Sequence, residues 1–248
     1  MTMREILRFS NLSLTYQAEN GEVEALKNIN FVVNHGELVS IIGPSGCGKT
    51  SLLSLISGIV PPTSGQIIAD SSNNIGYMLQ KDNLLEWRTI RGNVLLGLEI
   101  RKSLDNADYA DNLLKTYGLW EFRDKYPSQL SGGMRQRVAL IRTLATKPEL
   151  LLLDEAFSAL DYQTRLVVVD DVFSILRNEK KTAVIVTHDI TECISMSDRV
   201  ILFSKRPGQI RQDITLEFPP NLLPLQRRDE PNFREYFTLI WRELDVNV

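Results

Sequence analysis

The sequence predicts an α/β fold built on buried strands whose carboxyl ends carry the polar chemistry. Three stretches carry that prediction. Leu38-Val39-Ser40-Ile41-Ile42 is a short apolar, β-branched run followed directly by a glycine-rich loop and a helical pattern. Leu150-Leu151-Leu152-Leu153 is a continuous apolar run ending in Asp154-Glu155. Ala183-Val184-Ile185-Val186-Thr187 is a third, ending in His188-Asp189. A strand buried on both faces needs no polar alternation, and ligands gather at the carboxyl ends of such strands.

The 248 residues are enough for one large domain, or one domain with an inserted subdomain. Hydrophobic content of 43% and charged content of 24% are ordinary for a soluble globular protein. The 28 basic and 31 acidic residues leave a net charge of −3, which supplies no basic field for nucleic acid. No apolar run approaches the length of a membrane span, and Met1 to Glu5 lacks the core of a signal peptide. Cys47 and Cys193 do not make a disulfide framework. These features predict a cytosolic protein.

Taken in order, residues 5–16 place Ile6, Phe9, Leu12, Leu14 and Tyr16 among polar neighbours, which predicts an edge strand. Glu19 to Glu22 reads as a turn and Ala25 to Val33 as a second strand. The loop Gly43-Pro44-Ser45-Gly46-Cys47-Gly48-Lys49-Thr50 then matches G-x-x-x-x-G-K-[ST] without a mismatch. Ser51 to Ser57 continues it as a helix, stopped by Gly58 and Pro61-Pro62. Strand, glycine loop and helix are what phosphate binding needs. The glycines let backbone N–H groups close on phosphate oxygens, and the helix N-terminus adds positive charge. Lys49 is placed for the β- and γ-phosphates and Thr50 for Mg²⁺. A nucleoside triphosphate is the expected ligand.

Gly65 to Ala69 and Ile75 to Leu79 read as strands on either side of a polar turn, Asp70 to Asn74, with Gln80 directly after the second. The pattern then turns helical over Ile90–Lys102, Asn106–Tyr117 and Leu119–Lys125, so residues 81–145 read as a helical insertion. Ala110, Leu113, Leu114 and Tyr117 give its half-buried stripe. Leu130-Ser131-Gly132-Gly133-Met134 precedes a helix over Arg135–Thr146. In a chain with a phosphate loop, the Asp154-Glu155 pair at a strand end suits a Mg²⁺ site better than a merely solvated end. Tyr162 to Arg177 is helical, and Val200–Phe203 and Gln209–Leu216 close the sheet. Pro231 starts a final helix whose Phe233, Phe237, Ile240, Trp241 and Leu244 form a stripe, expected to dock on the chain's own core.

Several side chains carry two readings from residues alone. Tyr16 is a half-buried strand residue or an adenine platform; His188 is a core histidine or a site residue, while His35, beside Gly36, is expected to be solvated. Cys47, among phosphate-facing amides and near Lys49, is an ordinary small loop residue or a thiolate-like, reactive one.

Together these stretches resemble the ATPase subunit of ATP-binding cassette transporters over essentially the whole chain. The ordered set that carries the resemblance is Gly43–Thr50, Gln80, Leu130–Met134, Leu150–Glu155, Ser158-Ala159-Leu160-Asp161 and His188. The resemblance implies a P-loop NTPase, RecA-like core with an antiparallel β-subdomain and an inserted helical subdomain. It implies a nucleotide-binding domain over residues 1–218 and a C-terminal extension over 219–248. Gly43, Pro44, Ser45, Gly46, Cys47, Gly48, Lys49, Thr50 and Ser51 would enclose the phosphates of ATP, and Tyr16 would stack on adenine. Thr50, Asp154 and Gln80 would serve Mg²⁺, with Gln80 also sensing the γ-phosphate. Glu155 would polarise the attacking water and His188 would steady it. Ser131, Gly132 and Gly133 would bind the γ-phosphate held by a second copy of the chain, and Asp161 would cross the same interface, so a head-to-tail dimer would sandwich two ATP.

Leu84-Leu85-Glu86-Trp87-Arg88-Thr89, Arg206-Pro207-Gly208 and the aromatic tail helix resemble the importer branch serving nitrate, sulfonates, taurine and related solutes. The expected partners are integral membrane permease subunits and, indirectly, an extracytoplasmic solute-binding protein, with the chain peripheral on the cytoplasmic face of the membrane. Trp87 either packs inside the helical subdomain or lines a groove for a permease helix. Two departures stand out: Met134 replaces the usual glutamine of the signature, and Glu86 replaces a common proline. The alternative is a soluble cassette ATPase without a permease. Its DNA-repair members place a long coiled coil between loop and signature, where this chain has only Ser51–Gln129. Translation-associated members carry two cassettes per chain. A small-molecule kinase would leave Leu130–Met134 without a role.

Overall fold

The computed structural model describes residues 4–19, 21–69, 74–219 and 221–245. From the N-terminus the elements are β1 (Glu5–Ala18), β2 (Gly21–Asn34), β3 (Leu38–Ile42), α1 (Lys49–Ile56), β4 (Ser64–Ala69), β5 (Ile75–Met78) and α2 (Ile90–Ile100). Next come α3 (Ala107–Thr116), α4 (Gly132–Ala145), β6 (Leu150–Asp154), α5 (Tyr162–Asn178), β7 (Thr182–Val186) and α6 (Ile190–Met196). The chain closes with β8 (Arg199–Phe203), β9 (Ile210–Thr215), α7 (Pro224–Arg227) and α8 (Pro231–Asp245).

The buried strands form one sheet in the order β5-β6-β7-β3-β8-β9, parallel except for β9, which runs antiparallel to β8. Alternate residues of these strands feed two cores, as the period of two requires. Val39, Ile41, Leu150, Leu152, Val184 and Val186 face α1 and a second, antiparallel sheet. Leu38, Leu151, Leu153, Ala183 and Ile185 face the helices α2 to α5. Truncating any of these leucines to alanine removes about 2–5 kcal/mol of stability. A third core joins Ile42, Val200 and Leu202 to α6 and α8.

The register positions the site. Ile41 pairs with Val186 on β7, and Val186 also lies level with Asp154 on β6. The glycine loop after β3, the Asp154-Glu155 step and His188 therefore emerge together at the carboxyl end of the parallel sheet.

Three expectations need correction. β1 is not an edge strand but the centre of the antiparallel sheet β2-β1-β4. Its alternation arises because that sheet buries one face only, which an inner strand shows as readily as an outer one. The runs 65–69 and 75–79 are strands as expected, and they separate: β4 joins the antiparallel sheet and β5 the parallel one. Of the turn expected between them, residues 70–73 lie outside the described residues, as does Asn20 of the first turn. Leu119–Lys125 holds only a three-residue 3₁₀ turn, Trp120–Phe122, with Lys115 and Arg123 over the Trp120 ring. Trp87 is 75% exposed and does not pack inside the helical layer.

The tail stripe docks on the chain's own core through Phe233, Ile240, Phe237 and Leu244. Trp241 departs from it, exposed and stacked on Phe237. Arg227 anchors α7 by donating to the carbonyls of Ser195 and Ser197 while lying over Phe173 and Phe218. Among the described residues, no helix is long and apolar enough to cross a membrane.

Candidate functional site

β3 delivers the chain into the glycine loop, and Gly48 turns it into α1 at φ 101°. A Cβ there would lie 2.7 Å from Leu26 Cδ2 and 2.8 Å from the Ala25 carbonyl, so only glycine fits. No side chain caps the start of α1, so its N–H groups and dipole face the cleft without an internal acceptor. The Lys49 ammonium donates to the carbonyls of Gly43 (2.7 Å) and Pro44 (3.2 Å), which are neutral partners. The cleft is about 490 Å³ and is lined by Ser45, Gly46, Gly48, Lys49, Thr50 and Ser51, with Tyr16, Glu155 and His188 at its walls. An uncapped helix N-terminus and a cation that, among the described residues, has no carboxylate partner suit an anion.

The other wall comes from β6 and β7. Thr50 Oγ1 lies 3.5 Å from Asp154 Oδ1, and Tyr77 donates to Asp154 Oδ2 at 3.2 Å. Burial raises the Asp154 carboxyl above its ordinary value, with Glu155 adding repulsion. A hydroxyl and a penalised carboxylate are an all-oxygen donor pair of the kind that suits Mg²⁺. Among the described residues no cluster of His, Cys, Asp or Glu would hold a metal by itself. The donors therefore fit an ion held jointly with substrate phosphates rather than in a protein cage.

Glu155 follows β6 in the left-handed conformation, φ 46°, with its N–H donating to the Val186 carbonyl. A non-glycine residue there costs on the order of 1 kcal/mol, and such strain persists where the surroundings hold it. The conformation brings Glu155 Oε2 to 3.3 Å from His188 Nδ1 and 3.4 Å from Gln80 Nε2. Gln80 Nε2 also reaches Ser158 Oγ at 3.2 Å. Its amide thus meets Glu155 and Ser158 rather than the Thr50–Asp154 pair. His188 is more than half exposed and not a core histidine. Tyr16 edges the cleft, its hydroxyl 3.3 Å from Ser51 Oγ. His35 is exposed, as expected for a solvated turn residue.

Ser131, Gly132 and Gly133 lie outside the lining of this cleft, at the start of α4. Ser131 and Gly132 are exposed, and the Ser131 hydroxyl accepts from the Met134 N–H. Asp161 is likewise an exposed N-cap, of α5, accepting from the Thr164 N–H at 3.0 Å. Arg135 ties the start of α4 to the loop after Gln80 through Asp82 and Glu86, so Glu86 acts there as an ion-pair partner.

The thiolate-like expectation for Cys47 fails. Its side chain is fully buried, and burial pushes the thiol up despite Lys49 Nζ at 3.9 Å. Desolvation outweighs the nearby cation because the sulfur points into the core.

Three residues at the site escaped the sequence reading. Tyr77 sits on β5, where an aromatic is unremarkable, and its role appears only when β5 pairs beside β6. Arg165, one turn into α5, donates to the carbonyl of Leu160 (2.9 Å) and approaches Asp189 Oδ2 (3.4 Å). Arg206 lines the cleft from the loop after β8; its Arg-Pro-Gly setting was a visible signal, but not of this position.

The family model described as "ABC transporter" matches residues 26–158. Along nearly the whole chain, identity is 47% over 250 residues with the uncharacterized ABC transporter ATP-binding protein YtlC of Bacillus subtilis strain 168, covering 96% of this chain and 95% of that protein. The chain belongs to the ABC transporter family. As a member it is an ATP-binding, ATP-hydrolysing subunit, an ABC cassette. The taurine import ATP-binding protein TauB of Roseobacter denitrificans is 35% identical, covering 95% of this chain and 94% of that protein. A solved ABC cassette, MJ0796, in a dimeric post-hydrolysis state with ADP and Pi, aligns with a TM-score of 0.69 at 31% identity. It covers 86% of this chain and 100% of that one.

Proposed function

We propose that this ABC cassette is the motor of an importer for nitrate, a sulfonate, taurine or a related small organic solute. In this reading it works as a head-to-tail dimer with two ATP between the copies. The observation that carries it is the convergence of Lys49, the uncapped start of α1, the Thr50–Asp154 pair and the Glu155–His188 pair on one cleft.

The nucleotide-binding domain is assigned to residues 1–218, with 81–145 as the helical insertion and 219–248 as an extension. The glycine-loop amides of residues 43–51 and Lys49 hold the phosphates, and Tyr16 stacks on adenine. Phosphoryl transfer to water is governed by positioning and charge stabilisation. Glu155 is the carboxylate that orients the attacking water and draws off its proton, and His188 and Gln80 hold that carboxylate. Thr50 and Asp154, with Gln80 nearby, would hold Mg²⁺, whose chemistry is neutralisation of the phosphate oxygens. Ser131, Gly132 and Asp161 are exposed and, like the buried Gly133 beside them, lie away from this chain's own cleft, which suits groups that serve the partner copy's nucleotide.

Exposed Trp87 on the tethered 81–89 loop suits contact with a membrane permease, which would hold the cassette at the cytoplasmic face; an extracytoplasmic solute-binding protein completes the importer. The test is ATP hydrolysis with and without membranes containing the candidate permease. Stimulation by the permease is expected. Glu155→Gln should keep ATP binding while turnover falls by about 10²–10³-fold. Turnover indifferent to every permease would favour a soluble cassette ATPase instead.

A further inference from the structure

We propose that Arg206 contacts the phosphate chain of the bound nucleotide, as a second side-chain cation beside Lys49. The inference rests on reading the cleft as the nucleotide site. Lys49 belongs to a motif; Arg206 does not, and only tertiary structure brings it to the same cleft.

The loop that carries Arg206 is fixed on two sides. The Gly208 N–H donates to the Ala25 carbonyl at 2.9 Å, and the Lys27 N–H donates to the Gly208 carbonyl at 3.0 Å. The Ser204 hydroxyl braces the turn internally, donating to the Pro207 carbonyl and accepting from the Gln209 N–H. On the other side Gly208 is pressed against the glycine loop, where a Cβ would lie 2.1 Å from the Cys47 carbonyl oxygen. Backbone position two residues from that contact is therefore set by the phosphate loop itself.

The side chain is exposed, and among the described residues Arg206 makes no hydrogen bond or ion pair. The carboxylate of the cleft, Glu155, already faces His188 and Gln80. Two cations without carboxylate partners thus line one cleft, and a polyphosphate is the ligand whose charge and forked acceptors match them. The braced backbone leaves only the Arg206 side chain to be ordered on binding, so no loop-ordering cost is added to that of its rotamers.

Affinities of the full-length chain for ATP, ADP and adenosine (the last as a competitor) test this in wild type, Arg206→Ala, Arg206→Lys and Lys49→Ala. Arg206→Ala should weaken ATP and ADP roughly tenfold while leaving adenosine and nucleotide-free thermal stability unchanged. Arg206→Lys should fall between, keeping charge but not the fork. The difference between wild type and Arg206→Ala should narrow as salt rises. Wild-type ATP and ADP binding by Arg206→Ala, with Lys49→Ala impaired, would overturn the proposal and leave the cleft as the nucleotide site. An equal loss for adenosine, or a loss indifferent to salt, would overturn it too, assigning Arg206 to the base or sugar. Unchanged binding by Lys49→Ala would overturn the cleft reading and this inference together.

Discussion

Two helices of this chain begin with glycines, α1 after Gly46-Cys47-Gly48 and α4 at Gly132-Gly133, and they end differently. At α1 the glycine N-cap offers no side chain, the first N–H groups stay free, and Lys49 stands among neutral carbonyls. At α4 the Ser131 hydroxyl takes the Met134 N–H, and the start of the helix lies exposed. The glycines also differ. Gly48 is needed for its positive φ and its closeness to β2, while a Cβ at Gly133 would meet Val168 Cγ2 of α5 at 2.9 Å. At Gly132 the same Cβ would meet only the flexible end of Leu160, at 3.3 Å. One glycine helix start thus opens inward on the cleft without a side-chain cap. The other satisfies its own backbone, keeps one glycine for packing and turns the remaining groups outward.

The strongest way to break that comparison is Gly48→Ala. Left-handed backbone and the collision with Leu26 and Ala25 together cost about 2–5 kcal/mol, so ATP binding should be lost. Binding retained at wild-type affinity, read by titration calorimetry, would show that α1 does not need its glycine turn.

The inward side is sharpened by asking what supports the His188 turn. Glu192 lies buried beneath it, facing the Thr187 hydroxyl, Asp189, Arg165 and Glu155. Burial raises its carboxyl from an ordinary 4.5 to about 8. The folded state therefore keeps a proton that the unfolded state releases, so the Glu192 contribution to stability is fully present below about pH 4.5 and is lost as pH rises through 8. The contribution amounts to a few kcal/mol. Glu192→Gln should flatten the dependence of melting temperature on pH across that window, and an unchanged slope would refute the assignment.

On the outward side the effects are smaller. Gly133→Ala should lower stability by about 1–3 kcal/mol through overpacking against α5. Gly132→Ala should change it by less than about 1 kcal/mol. Denaturant unfolding separates them, and equal losses would erase the distinction between the two glycines. Ser131→Ala should remove about 1 kcal/mol with the lost cap. If Ser131 also serves the partner copy, turnover should fall in that variant by more than the stability loss explains.

How far the site was legible follows from where each signal lives. The glycine loop, Asp154-Glu155 and the 130–134 stretch are contiguous, and each lies against a strand or helix whose apolar pattern marks its ends. Cys47 kept two readings in the sequence because neighbours along the chain suggest a thiol among amides, and only the structure shows its sulfur turned into the core. The central place of β1 was missed because alternation reports which face is buried, not how many neighbours a strand has.

The sequence by itself determined the chemistry available: an invading phosphate loop between strand and helix, an acidic strand end, a serine-glycine helix start, and the parallel α/β core that continuous apolar runs require. Only the tertiary structure decided which of these meet. The register across β3, β7 and β6 brings the glycine loop to Glu155 and His188, and pairing of the loop after β8 with β2 carries Arg206 to the same cleft. Those encounters join residues far apart in sequence, and local pattern holds no information about pairings that the packing of two sheets alone selects.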